Sequence, residues 1–385
     1  MALAIVFIIL FGSAAAVPAV WSIVNLIRGN WSAWPCVAGT VFALVLLGIT
    51  FGEIGSNWGG CPPKGESSEG AVQCYQNVKG KWQEQCEPDV WKEACRELVP
   101  PCGSLNPDTV LIPRGQLCPS GHQWQAVFPF CEPVQLNSSV KQPWATWSDL
   151  SFVAAGLWLL WFFQFFGTSK RLFADPGENP MSDITVLSVA YCFIVIFMGP
   201  PSMWYHASMK QWGGWFDTMS VVAWLGFNAF YVIYAIITIS GKARTFWRTV
   251  VVLGGWGVLM VVFGLIAALN KNAHLYLYFA TGGPWGIAEV VYLIRASASR
   301  NVQYRRTWFL FVINLGLLAV TMTIWIFFND GVVGESCAGR AGFPGHALFH
   351  ILASFSTMLT FFSFASERST AAIAELDTYN PFRSA

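Results

Sequence analysis

Apolar residues in this chain run on without the strict alternation of a half-buried strand or the three-to-four spacing of a helix with one wet face. Runs of about 18 or more such residues are long enough to cross a hydrocarbon core as helices. They fall into two blocks separated by a polar insert. The first block holds residues 1–27 and 34–51, joined by a short turn that contains Arg28. The insert covers residues 52–142. The second block supplies seven further spans, beginning near Trp147, Ile184, Trp215, Phe246, Ala273, Thr307 and Pro344. The pattern predicts an all-α polytopic membrane protein: a seven-helix bundle preceded by an N-terminal helical hairpin and a Cys-rich extracytoplasmic insert. The expected units are residues 1–51, 52–142, 143–368 and a tail, 369–385. The first run has no Lys or Arg ahead of it and stays apolar to Ile27. An uncleaved hairpin is therefore preferred to a signal peptide, although Ser13-Ala14-Ala15-Ala16 is of a cleavable type.

Composition narrows the class further. Hydrophobic residues make up 55% and charged residues 11%, against about 25% charged in soluble domains. Soluble enzymes, disordered chains and nucleic-acid binders are excluded as first readings. The net charge of +1 points to no acidic partner.

The cations that remain are unevenly placed. One set of loops carries Lys170, Arg171, Lys242, Arg244, Arg248, Arg295, Arg300, Arg305 and Arg306; the opposite loops of the second block carry Lys210, Lys271 and Arg340. The rich loops are expected to be cytoplasmic, together with Arg28 and the tail. The insert then faces a lumen or the exterior. Cysteine usage agrees: Cys61, Cys74, Cys86, Cys95, Cys102, Cys118, Cys131 and Cys337 all fall on that oxidising side. Eight cysteines allow four disulfides in 105 connectivities. Zinc ligation by these residues is disfavoured because no C-x-x-C pair occurs. Asn137-Ser-Ser is a glycosylation acceptor on the same face. The endoplasmic reticulum, the Golgi and the plasma membrane all fit such a glycoprotein.

The chain has five histidines, and three of them sit at the non-cytoplasmic ends of expected helices. His346 and His350 are four residues apart and project from one helix face, as two ligands of one metal would. His206 emerges on the same side. Three imidazoles with an open position form the ligand set of a catalytic zinc site. Ser202 lies one turn before His206, and Asp217 follows the Gly213-Gly214 turn at the start of the next helix. A carboxylate there can take a proton from water, and a hydroxyl can orient that water or support an oxyanion. Asp149 has two open readings, support of this site or satisfaction of a neighbouring helix. Glu289 has two as well, a pair with Arg295 or a proton relay. His122 and His274 have no evident partners in the pattern.

The arrangement Ser202-x-x-x-His206, Asp217, and His346-Ala-Leu-Phe-His350 opening the last helix resembles the alkaline ceramidase family. That family belongs to the CREST superfamily of seven-helix membrane metal hydrolases. The likeness covers about residues 142–368. Trp144-Ala-Thr-Trp-Ser-Asp-Leu150 is similar to the family's first-helix motif, with Ala145 and Asp149 where Asn is usual. The Cys-rich insert and Phe361-Phe-Ser-Phe-Ala-Ser-Glu-Arg-Ser369 are similar to the Per1-type lipid-remodelling branch. Glu132 is the one acidic match to the family's calcium-binding stretch, so calcium regulation is not carried over. The resemblance implies zinc (Zn²⁺) on His206, His346 and His350, with Asp217 and Ser202 as catalytic residues. The implied reaction is cleavage of a membrane lipid amide, ceramide to sphingoid base and fatty acid. The alternatives are a lipid ester hydrolase of the remodelling type, and a non-catalytic membrane protein whose insert binds a protein partner. Pro200-Pro201, just before Ser202, is expected to break or restart its helix.

Overall fold

The computed structural model describes residues 2–56, 75–78, 81–84, 123–125, 132, 140, 142–166, 179–182, 184–208, 211–238, 246–270, 273–298, 304–305, 307–328 and 344–369. The eight insert and loop cysteines, Asn137, His122 and most of the loop cations lie outside these residues, and with them the expected disulfides, glycan and protein-binding surface.

Helix dominates, as the apolar runs require: a chain in lipid must satisfy its backbone within each segment. The helices are α1 (Ala2–Ile27), α2 (Trp34–Ser56), the six-residue α3 (Pro143–Ser148), α4 (Leu150–Phe166), α5 (Val186–Ser208), α6 (Gln211–Thr238), α7 (Phe246–Leu269), α8 (His274–Ala298), α9 (Trp308–Phe328) and α10 (Gly345–Ala365). Seven of them, α1, α2, α5, α6, α7, α9 and α10, are long and apolar enough to cross a membrane. The protein is a multi-pass membrane protein. Helix α4 has 17 residues, a rise of about 26 Å, and α8 carries Glu289 and Arg295 within it. The insert also contributes strands, which its cysteine pattern did not announce: β1 (Tyr75–Val78) pairs antiparallel with β2 (Lys81–Glu84) and β3 (Gln123–Gln125). A second pair joins β4 (Tyr304–Arg305) to β5 (Arg368–Ser369).

Two tight features explain how the helices meet. Gly29 at φ +82° closes α1, a backbone conformation that glycine adopts without strain. The next residue, Asn30, accepts from the Ser32 N–H at 3.2 Å and starts the turn into α2. Helices α1 and α2 pack across α3, α4 and α5, and the Trp158 indole N–H donates to the Ala14 carbonyl at 2.9 Å. Near the end of α2, the Trp204 indole N–H donates to Thr50 Oγ1 at 2.6 Å.

Aromatic packing holds three of the helices together. Tyr191, Phe227, Tyr231, Phe361 and Phe364 are all buried from α5, α6 and α10. The Trp224 indole N–H donates to the Tyr191 hydroxyl (2.9 Å), which donates to the Thr357 carbonyl (2.6 Å). These polar links survive because the alternative in hydrocarbon is an unsatisfied group. By contrast, α7 and α9 turn Val251, Val258, Phe309 and Leu315 outward. Alternation along the chain gathers the starts of α4, α6, α8 and α10 and the ends of α5, α7 and α9 at one end of the bundle.

Two local expectations are corrected. Pro200 and Pro201 do not interrupt α5, which continues through both to Ser208. Membrane helices tolerate proline where neighbouring elements re-satisfy the freed backbone groups. The preceding Gly199 shows how close that neighbour is: a Cβ there would lie 2.8 Å from the Asp149 carbonyl oxygen and 2.9 Å from Val153 Cγ2. Gly213 and Gly214 are not a turn but part of the first turns of α6. A Cβ on Gly213 would stand 2.9 Å from the Tyr205 backbone, so the missing side chain lets α6 press against the end of α5.

The Gly199 contact yields a direct test. Alanine there meets backbone, which cannot swing away as a side-chain tip can. Gly199→Ala is expected to cost about 1–3 kcal/mol by overpacking, seen as a lower unfolding midpoint in detergent. An unchanged midpoint would remove the close approach of α4 to α5 from the description.

Candidate metal centre

His206 comes from the last turn of α5, and His346 and His350 from the first two turns of α10. All three are buried. Their ring centroids form a triangle of 5.0 Å (His206–His346), 5.1 Å (His206–His350) and 4.5 Å (His346–His350). Each ring offers a nitrogen within 4.8 Å of the other two, close enough to hold a metal ion. Two residues from one helix face and one from its neighbour are thus brought to a single point, as the i, i+4 spacing implies.

The Nδ1 atoms show which nitrogens are offered. His206 Nδ1 lies 2.8 Å from Gln142 Oε1, an acceptor, so this nitrogen carries the proton. His350 Nδ1 lies 2.9 Å from Ser148 Oγ, 3.0 Å from Asp149 Oδ1 and 3.3 Å from the Ala145 carbonyl oxygen. The carboxylate and the carbonyl can only accept, and Ser148 gives its own proton to the Ala145 carbonyl at 2.7 Å. Both rings therefore hold a proton on Nδ1 and leave Nε2 free to ligate, the usual arrangement at a metal-bound histidine. The residues present fit a divalent ion: three neutral nitrogen donors, with a fully buried carboxylate, Asp149, to offset positive charge.

Ser202 and Asp217, the two other residues of the expected site, lie nearby. Ser202 is buried one turn before His206 and beside the Asp149 carboxylate. Asp217 is half-buried in the first two turns of α6. Its charge acts on His350, Asp149 and the Tyr278 hydroxyl. Neither belongs to the group of nitrogens close enough to hold a metal ion. Glu289 lies elsewhere, on α8, and accepts from the Trp285 indole N–H at 3.3 Å.

No role at the histidines was legible in the sequence for Gln142 or Ser148, and Glu132 stood out there only as an acidic match to the calcium-binding stretch. All belong to the segment around α3, where Gln142 is the N-terminal flanking residue and makes no side-chain cap. Glu132 performs that duty from ten residues upstream: the N–H groups of Trp144 and Ala145 donate to its two carboxylate oxygens at 2.6 and 2.9 Å. A carboxylate at a helix start offsets orphan donors. Pro143, a residue suited to a first helical position, was a signal for the start of this short helix.

Burial pushes the Glu132 carboxyl up to about 7, in spite of those two donors. The folded chain thus binds this proton more tightly than the unfolded chain does. Stability from the group is fully present below about pH 4.5 and is lost as pH rises through about 7, by roughly 3 kcal/mol in all. The unfolding midpoint of wild type is expected to fall between pH 5 and 8 more steeply than that of Glu132→Gln. Parallel profiles for the two would contradict this.

No protein-family model matches the chain, and no curated protein matches it.

Proposed function

We propose that the chain is a zinc-dependent intramembrane hydrolase that cleaves a lipid amide, with ceramide as substrate and a sphingoid base and a fatty acid as products. The observation that carries this reading is the buried triangle of His206, His346 and His350, with Ser202 buried one turn before His206 and Asp217 near enough for its charge to act on His350. The chemistry of the donor set favours zinc: three imidazoles with an open position. A zinc ion supplies Lewis acidity and a nucleophilic water near neutral pH.

The chain's own residues then have distinct tasks. Asp217 accepts the proton that water gives up and passes it to the leaving amine. Ser202 orients the water or steadies the oxyanion from the His206 side. The apolar helix faces around the site accept the acyl chain of a substrate that never leaves the bilayer. Arg248 and Arg295, near the start of α7 and the end of α8, lie at the end of the bundle away from the triangle. Cations at that end support a cytoplasmic assignment for it, which puts the site on the lumenal or external side.

Product analysis tests the substrate class. Purified protein in mixed lipid micelles is offered ceramide and, separately, an ester lipid of the same chain length. Sphingoid base from ceramide, lost in His346→Ala, is expected. Acyl chain released from the ester lipid alone would replace the amidase with an ester hydrolase. No turnover of either, in protein that holds its metal, would favour a non-catalytic role.

A further inference from the structure

Asp149 is fully buried, and among the described residues the His350 ring is its ion-pair partner. A carboxylate in such a place costs several kcal/mol unless a positive group compensates it. It does not join the group of three nitrogens; it meets the His350 ring at Nδ1, 3.0 Å away. Its backbone is fixed as well. Gly199 admits the Asp149 carbonyl against α5, and α3, capped by Glu132, ends at Ser148 directly before it. The chain has therefore built a rigid seat for a negative charge behind one particular ligand. His206 differs, since a neutral amide, Gln142, stands behind it.

We infer that Asp149 is a positioning residue: its carboxylate fixes the His350 ring with the proton on Nδ1 and makes its Nε2 a stronger metal donor than that of His206. The inference rests on the metal site proposed above and adds an asymmetry to it. Negative charge behind the ring raises the basicity of the ligating nitrogen, which an amide cannot do to the same extent. It also balances a divalent cation in a buried site. The position thus favours a 2+ ion on the triangle over an empty one, through a residue that touches neither metal nor substrate.

Cobalt(II) alone serves as the probe, added to metal-stripped full-length protein in detergent and followed by its visible absorption and by competition with a chelator. Asp149→Asn keeps the shape and removes the charge. It should weaken cobalt binding on the order of 10–100-fold and shift the absorption bands, while the unfolding midpoint of the metal-free protein stays level or rises. Ser148→Ala, which leaves the charge in place, should change affinity less than about 3-fold. Should the Asn variant fail to fold, wild type with ¹⁵N-labelled histidine and bound zinc answers the same question. His350 should then show a protonated Nδ1 and a metal-bound Nε2. Wild-type affinity and spectrum in Asp149→Asn, or metal on His350 Nδ1, would overturn the role of Asp149. A wild type that binds no cobalt would overturn the metal site itself, and this inference with it.

Discussion

His350→Ala is expected to abolish turnover and to strip the metal. The ring is one corner of the triangle, 5.1 Å from His206 and 4.5 Å from His346 between centroids, and it lies against Ser148 and Asp149. Removing it leaves two donors from different helices and an uncompensated buried carboxylate. A two-donor site loses both affinity and geometry, and the stranded Asp149 charge adds a penalty of about 3–5 kcal/mol to the fold. The variant should thus unfold at a lower temperature than His346→Ala, which strands no carboxylate. Turnover and metal content are read together. Activity at the wild-type level would show that the triangle is not the reacting centre.

The second large effect separates chemistry from metal binding. Asp217→Asn should keep the metal and lose turnover by about 10²–10⁴-fold, the usual contribution of a positioned general base. Asp217 is half-buried at the start of α6, outside the nitrogen triangle but near enough for its charge to act on His350. Loss of kcat with metal retained is the expected signature. Loss of metal would make Asp217 a structural support, and full turnover would pass the proton transfer to another group.

Much of this was legible in advance, for identifiable reasons. Helix positions follow from apolar runs because lipid leaves the backbone no alternative to internal pairing. The apolar run expected near Phe246 begins α7 at that residue, and Ala273 adjoins the start of α8 at His274. His346 and His350 were readable as a pair because helix geometry alone decides that i and i+4 share a face. His206 could be joined to them only by topology, and the alternation of helix direction supplied it. What escaped notice lies where no periodicity operates. Helix α3 has six residues, too few for a pattern, yet Gln142 just before it and Ser148 at its end lie against two different histidines. Glu132 caps it across a gap in sequence that no local rule spans. Asp149 was visible as a costly charge, but its partner, two hundred residues away, was not. Pro200 and Pro201 misled because the rule against helical proline is framed for water, whereas here α4 is pressed against that stretch of α5 at Gly199.

The most direct measurement is metal content by elemental analysis of detergent-purified wild type beside a His346→Ala/His350→Ala double variant. About one zinc per chain in the wild type and none in the variant is the expected result, since each ring contributes one of three donors. Metal-free wild type, or equal metal in both proteins, would contradict a zinc site on His206, His346 and His350.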